Sequence, residues 1–429
     1  LNHSEPLVPL RLPVAVPAAT AAEIARGVRR RYPDADLLVL APSDSTGWFA
    51  GTHIVAWADP GEALGPCTLA SAARELEAAE SGRAPVLTAV VLSYEGEAQT
   101  RVFRAGLTLT AEGWRPWGHA QGDDLGAITR DPFLPPTPLL LEPTAEMSGT
   151  EFVAAVEFTR EQIAAGNVYV ANITYRIRGS RSLPPLDAFV ALTTHTAAPM
   201  SALLIAGDRA LVSASPERFL GITEGPDGSR VAEIWPIKGT RPRGTDSRSD
   251  ARLARELSRD DKERAEHVMI VDLERNDLGR VCVAGSVSVE PLARVFQTPY
   301  CHQMVSCVRG VLVPGVPSHE VFAACFPCGS VTGAPKVAAM RHIERTEVSP
   351  RDAYCGTLAV AAPGAVDSSV LIRTLEVRGD EAAWGVGGGI TYDSDPDAEW
   401  EETLLKASPA LGRQGRNGTR AHAGPSHAG

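Results

Sequence analysis

The run Ala382-Ala-Trp-Gly-Val-Gly-Gly-Gly-Ile-Thr-Tyr392 and, after a short turn, Asp397-Ala-Glu-Trp-Glu-Glu-Thr-Leu-Leu-Lys-Ala407 decides the fold class. The first segment alternates as a strand does, and the second has the spacing of a helix. Upstream, residues 358–360 and 369–377 also read as antiparallel strands. Residues 203–205 and 210–213 read as a hairpin turning at Gly207-Asp208, and residues 169–178 as a strand. Helical patterns cover residues 151–165, opened by Ser148-Gly-Thr-Glu151, and residues 247–273, 319–326 and 336–345. Residues 287–308 contain strand-like pieces. Meandering strands with helices interspersed imply an α+β unit, not a regular βαβ array.

Nearer the N-terminus, residues 18–32 read as an amphipathic helix, and 37–40 and 86–92 as strands. Residues 131–143 are Pro-rich and read as a connector. The expected organisation is an N-terminal scaffold over 1–145, a catalytic region over 146–410 and a disordered tail over 411–429. The chain has 429 residues, of which 44% are apolar and 22% charged, as in ordinary folded domains. Its net charge of −11 argues against general nucleic-acid binding. No apolar run suits a membrane span. The N-terminus, Leu1 rather than Met, lacks a basic region followed by an apolar core, so no signal peptide is expected and a cytoplasmic location is. The seven cysteines do not read as a secreted disulfide framework. Cys325-Phe-Pro-Cys328 has redox-pair spacing, but two unrelated buried thiols are the preferred reading.

Four stretches carry chemistry. Glu263 and Glu266 are three apart on one predicted helix, Glu399 and Glu402 on another, so each pair shares a helix face. Two such pairs can converge on Mg²⁺, although spacing alone equally fits solvated faces. Gly329-Ser-Val-Thr-Gly-Ala-Pro-Lys336 opens a helix and suits a phosphate, a carboxylate or simply a capped turn. Gly385-Val-Gly-Gly-Gly-Ile390 allows either close backbone approach or a bulge. In Pro236-Ile-Lys-Gly-Thr-Arg-Pro-Arg-Gly244, Lys238 lies near Arg241 and Arg243. Neighbouring cations favour the neutral, nucleophilic form of a lysine, while an exposed structural lysine is the alternative.

Taken together, these stretches resemble the chorismate-utilising enzymes: anthranilate synthase component I, aminodeoxychorismate synthase component I, isochorismate synthase and salicylate synthase. Ser215-Pro-Glu-Arg-Phe219, the Lys262–Arg280 segment, Tyr354-Cys-Gly356 and Ile372-Arg-Thr374 complete the pattern over residues 148–407. Leu92-Ser-Tyr-Glu95 resembles an N-terminal strand motif of the family. The lysine at 238 is the residue of aminodeoxychorismate synthases, whereas anthranilate-forming relatives have alanine. Val170 stands where the water-activating branches have a lysine and ammonia-using relatives commonly have Gln. Gln303 stands where many relatives have His, with His302 one position early.

The resemblance implies two antiparallel sheets packed as a sandwich with helices outside. It also implies an amino-transferring enzyme that converts chorismate and ammonia to 4-amino-4-deoxychorismate. Mg²⁺ would be held by Glu266 and Glu402, with Glu263 and Glu399 as outer carboxylates. Thr240, Gly333, Tyr354, Arg373, Gly387, Gly388 and Lys406 would contact substrate. Lys238 would attack C2 and expel the C4 hydroxyl, Glu217 would protonate that hydroxyl, and ammonia would then attack C4. No Gly-x-Cys-x-Gly nucleophile turn occurs in these residues, so a separate glutamine amidotransferase subunit is the expected ammonia source. The alternatives are an anthranilate or 2-amino-2-deoxyisochorismate synthase and an inactive chorismate-binding paralogue. Folate synthesis and antibiotic-type secondary metabolism both stay open as destinations of the product.

Overall fold

The computed structural model describes residues 20–412 apart from 44–46, 59–65, 68, 83–86, 111–112, 121–136, 195, 197, 226 and 299–300. The expectations for the chain's start, for residues 413–429 and for residues 131–136 of the Pro-rich connector lie outside the described residues.

Two large sheets dominate, and every strand pair in them is antiparallel. Among the described residues the first has eleven strands. It runs from Val170–Arg181 through Glu381–Ile390, Thr374–Arg378, Arg209–Ser215 and Met200–Ala206 to Asp36–Leu40 and beyond. The second has nine, with Arg218–Glu224, Ala365–Val370, Thr357–Ala362 and Leu87–Leu92 at its centre. Strands from the first hundred residues thus enter both sheets: Leu38 pairs with Leu204 in one, and Val90 with Ala359 in the other.

One apolar cluster lies between the sheets. Leu38, Leu40, Ala202 and Leu204 of the first sheet meet Ala89, Val91, Leu358 and Val360 of the second. Strand alternation sends the intervening residues outward, where a second cluster joins Ile173, Val386 and Ile390 to Phe152 and Ala407 of two outer helices. A third joins Phe219 and Ile222 to Val271 and Phe322 of helices on the far side. The expected α+β sandwich with helices outside is the observed one.

Local chemistry explains most element ends. Ser148 and Glu151 form a reciprocal cap on helix Gly149–Ala164, and Thr20 and Glu23 do the same for Ala21–Arg31. The hairpin expected at Gly207-Asp208 is present, with Gly207 at φ +58°.

Four expectations change. The helix read over 247–273 is two, Ser247–Ser258 and Asp261–Gly279, because Asp260 caps the second and so ends the first. The strand read over 369–377 breaks at Arg373, whose φ is +49°. The close of the Pro-rich connector, Leu140–Ala145, is a strand against Val170–Arg181. Leu411, assigned to the tail, ends helix Pro396–Leu411, and Gly412 caps it in the left-handed region.

A small third sheet joins Ile237–Pro242, which has no counterpart in the sequence reading, to Cys301–Val305 and Arg294–Gln297, which lie in the strand-like pieces expected over 287–308. It carries Lys238.

Candidate active site

The end of strand Glu381–Ile390 is the floor of the site. Its ladder with Val170–Arg181 is unbroken from 381 to 390, and its glycines are not in the positive-φ region. The glycines therefore serve close approach, not a bulge. A Cβ on Gly388 would stand 3.1 Å from Glu399 Oε2, and one on Gly389 would stand 3.0 Å from Lys238 Nζ. The two residues face opposite sides of the strand, so the run passes between a carboxylate and an amine. Gly387 has Ile173 O where its Cβ would be, and its own carbonyl accepts from Lys406 Nζ at 2.8 Å. Tyr354 is buried with its ring against Gly385, and burial pushes its hydroxyl well up.

Lys238 sits in the small sheet opposite Met304, just before a register shift that Gly239 relieves at φ +79°. Its amino group donates to Ser330 O at 3.3 Å. Glu217 lies nearby, 3% exposed, on the turn into strand Arg218–Glu224. Burial pushes its carboxyl up to about 7, against the opposing pulls of the Ser330 side chain and Lys238. Its Oε1 is buried without a partner among the described residues. A carboxylic acid beside an amine is thus assembled from two sheets and one loop.

Arg241 and Arg243, expected to act as cations beside Lys238, are paired elsewhere. Arg241 bonds Asp260 at 2.6 Å and Glu263 at 3.2 Å. Arg243 bonds both oxygens of Asp250, at 2.8 and 2.9 Å. The charges that face Lys238 are instead the carboxylates of Glu217, Glu266 and Glu402.

The carboxylate pairs meet through hydroxyls. Thr391 Oγ1 donates to Glu266 Oε1 at 3.3 Å and lies 3.5 Å from Ser394 Oγ, which donates to Glu399 Oε1 at 2.7 Å. Burial raises both Glu266 and Glu399. Burial would raise Glu402 too, but Lys406, 2.7 Å away, and the charges of Lys238 and Lys262 hold it below the usual range. This donor set suits a hard divalent cation. Convergence is nevertheless partial: among the described residues, no group of three or more His, Cys, Asp or Glu is placed to hold a metal ion. Each of the four carboxylates is engaged by a protein partner.

The remaining candidates divide. Arg373 accepts a strained left-handed backbone, and burial lowers its guanidinium's proton affinity. No carboxylate partner engages it among the described residues. Thr240 is exposed, one residue beyond the bulge. Gly333, at φ +144°, pairs with Ala171, where Val170 O leaves no room for a side chain. The loop around it is not an open anion cradle. Gly329 N–H donates at 2.6 Å to the protein's own Glu274, and Lys336 is tied to Asp277, Cys325 O and Pro327 O.

Val170 is buried, with Cγ2 3.8 Å from the position of a Gly389 Cβ, on the side of Lys238. His302 cannot stand in for Gln303. Strand alternation turns it away, and its Nε2 lies 2.9 Å from Asp250 Oδ1. Cys325 and Cys328 are both free and buried, in keeping with two unrelated thiols. Sequence reasoning passed over Ser330 and Gly389 as individuals, although both lie inside glycine-rich runs it had singled out.

The fold and this cleft define a known class. The structure superposes on anthranilate synthase component I from Streptococcus pneumoniae TIGR4 with a TM-score of 0.69 and 22% identity, covering 88% of this chain and 90% of that one. For MenF, the menaquinone-specific isochorismate synthase from Escherichia coli, the values are 0.75, 18%, 94% and 92%. The family model for chorismate binding enzymes matches residues 90–412, and the chain belongs to that family. An aminodeoxychorismate synthase of Streptomyces pristinaespiralis is 46% identical over 257 residues, which is 60% of this chain and 35% of that protein. Anthranilate synthase component 1 1 of Haloarcula marismortui is 42% identical over 271 residues, 61% of this chain and 54% of its own length. Aminodeoxychorismate synthase component 1 of Salmonella typhimurium is 37% identical, covering 66% and 61%. The matched segment thus spans about a third to three-fifths of these curated relatives. Among the described residues no helix is long and apolar enough to cross a membrane.

Proposed function

We propose that this chain aminates chorismate at C4, giving 4-amino-4-deoxychorismate, with ammonia supplied by a glutamine amidotransferase subunit. The observation that carries this reading is the position of Lys238: its amine lies against Gly389, bonded among the described residues to a single carbonyl, with the buried acid Glu217 beside it. Relatives named as component 1 of an aminodeoxychorismate synthase support the partner.

In this mechanism the neutral Lys238 amine forms a bond to C2 as the ring double bond shifts. The C4–O bond breaks, and Glu217 gives its proton to the departing hydroxyl, which leaves as water. A carboxyl held near pH 7 is matched to that donation. Ammonia then bonds to C4, the double bond returns, and Lys238 departs as the amine. The proton released from the new C4 ammonium restores Glu217. Arg373 would meet a substrate carboxylate, for which its planar fork is suited. Tyr354, Thr240, Gly333 and Lys406, with the backbone at Gly387 and Gly388, would complete the substrate contacts. Glu266 and Glu402, with Glu263 and Glu399 outside them, would hold Mg²⁺, whose charge offsets that of the substrate's ring carboxylate.

Lys238 also speaks to the competing reading. Relatives named anthranilate synthase match at comparable identity, but direct attack of ammonia at C2 needs no lysine. The test is intact-protein and peptide mass spectrometry after chorismate is added without ammonia. An adduct of chorismate minus water on Lys238 is expected. Continued turnover by Lys238→Ala to the same 4-amino product would overturn the proposal.

A further inference from the structure

On the strand that pairs with the glycine floor, one neutral polar side chain beside Lys238 has no part in the mechanism above. In the ladder of Val170–Arg181 with Glu381–Ile390, Thr174 pairs with Gly387 and Asn172 with Gly389. Paired residues share a side of the sheet. A Cβ on Gly387 would meet Thr174 Cγ2 at 2.6 Å, and one on Gly389 would stand 3.8 Å from Val170 Cγ2 and 3.0 Å from Lys238 Nζ. Val170, Asn172 and Thr174 therefore face the side of the amine, while Ala171 and Ile173 point into the outer apolar cluster. Asn172 is 9% exposed, and its carboxamide has no hydrogen-bond partner among the described residues.

The Asn172 backbone is held on both sides. Its N–H donates to Thr332 O at 2.8 Å, and its carbonyl accepts from the buried Arg351 at 2.7 Å. The neighbouring hydroxyls are spent: Thr174 on Glu347, Thr391 on Glu266 and Thr332 on Cys328 O. Val170 adds only methyl groups. A small polar molecule on this side of Lys238 thus meets a fixed strand, an apolar wall and the Asn172 amide.

The second step of the reaction needs such a partner. Ammonia attacks through its lone pair, so it must arrive unprotonated. The carboxylates that face Lys238, those of Glu217, Glu266 and Glu402, would hold it as ammonium, which has no lone pair. A carboxamide oxygen accepts a hydrogen bond from N–H without taking the proton. Its hold strengthens as the C4–N bond forms and the nitrogen becomes positive, and a dipole fixed in advance favours that state. We propose that Asn172 receives the ammonia: its carboxamide oxygen accepts a hydrogen bond from the incoming nitrogen and turns the lone pair toward C4. The lone pair forms the C4–N bond, the ring double bond returns, and the C2–N bond to Lys238 breaks. The proton then leaves the new C4 ammonium for the Glu217 carboxylate, not for the amide. This rests on the reading of Lys238 as the nucleophile of the first step.

The test follows the two half-reactions of the whole chain separately, with Asn172→Leu removing the amide at similar volume. With chorismate and Mg²⁺ but no ammonia, adduct formation on Lys238, timed by quenched-flow mass spectrometry, should stay within about twofold of the parent rate, and KM for chorismate should not move. With an ammonium salt at saturating chorismate, kcat/KM for ammonium should fall roughly 10²-fold. Asn172→Ser, which keeps an acceptor oxygen, should recover part of the loss, and it keeps the idea testable if leucine is poorly accommodated. Unchanged use of ammonium by Asn172→Leu, or adduct formation slowed as much as ammonium use, would overturn the proposal. Gln303, a second buried amide, in register with Thr240, is the control. An ammonium-specific loss in Gln303→Leu with none in Asn172→Leu would give the role to Gln303 instead. A parent chain that makes product without forming the Lys238 adduct would sink the reading of Lys238 itself, whereas an adduct in the parent beside an unaltered Asn172→Leu would sink only the role of Asn172.

Discussion

Lys336 and Lys238 both flank the glycine-rich loop at 329–333, yet the loop treats them in opposite ways. Lys336 uses its donors on Asp277, Cys325 O and Pro327 O. Among the described residues, Lys238 donates to Ser330 O alone. The same division separates two arginines. Arg351 is buried and bonds Glu347, Val331 O and Asn172 O, with its guanidinium 4.2 Å from the Tyr94 ring centroid. Arg373 is half-buried and has no carboxylate partner among the described residues. A saturated cation holds elements together, whereas an unsaturated one has capacity left for a ligand. The difference separates scaffold from chemistry more sharply than residue type does.

The largest effect that could break this comparison comes from the lysines. Lys238→Ala should lower formation of the 4-amino product by more than about a thousandfold while leaving the melting temperature near that of the parent. Lys336→Met should do the reverse. It leaves the buried Asp277 carboxylate with Arg280, 3.0 Å away, as its remaining cation, which should cost roughly 1–3 kcal/mol of stability, yet its folded fraction should turn over normally. A Lys238→Ala variant that melted early at full specific activity would invert the assignment.

Glu217→Gln comes next. Loss of a general acid should cut kcat by roughly 10²–10⁴-fold with little change in KM. It should also change the stability profile. The carboxyl is held near 7 in the folded chain against 4.5 for its model value. The folded state therefore binds more protons than the unfolded state between those values, and stability falls as pH rises through them. Glu217→Gln removes that loss, so calorimetry should find it more stable than the parent at pH 8. The gain should vanish below about pH 4.5.

Gly389→Ala sharpens the point about the floor. Its backbone conformation is open to alanine, but the new Cβ would crowd Lys238 Nζ. Displacing the amine should cost up to roughly 10²-fold in kcat without a matching loss of stability. The smallest effect belongs to Arg243→Met. Because Arg243 is bound to Asp250, away from the amine, kcat should stay within about twofold. A pronounced shift of its pH–rate profile would restore the role first expected of that arginine.

Much of the fold was legible because hydrophobic alternation and capping chemistry are local. Ser148 with Glu151, and Gly207 at the hairpin, announce element ends within a few residues. The small sheet was only partly legible: its hairpin over 294–305 is local, but Ile237–Pro242 gains its meaning from a partner some sixty residues away, as in the pairing of Lys238 with Met304. The break at Arg259-Asp260 was hidden because a charged helical pattern runs through it, and only the Asp260 cap interrupts it. At the site, glycine runs pointed to close approach but not to what approaches. That Gly388 meets a carboxylate and Gly389 an amine depends on which side of the strand each faces. Arg241 and Arg243 misled for a related reason. Proximity in sequence places cations near Lys238, while the bulge at Gly239 and the acidic residues of the adjoining helices draw them away.

The central claim is that Lys238 directs nitrogen to C4. Its most direct test is to incubate the purified chain with chorismate, Mg²⁺ and an ammonium salt and to identify the product by mass and chromatography. The account predicts 4-amino-4-deoxychorismate, recognisable by its conversion to p-aminobenzoate when a lyase is added. Anthranilate or its 2-amino precursor would contradict it, and would turn attention to Val170 and Gln303 as the residues that reshape the cleft.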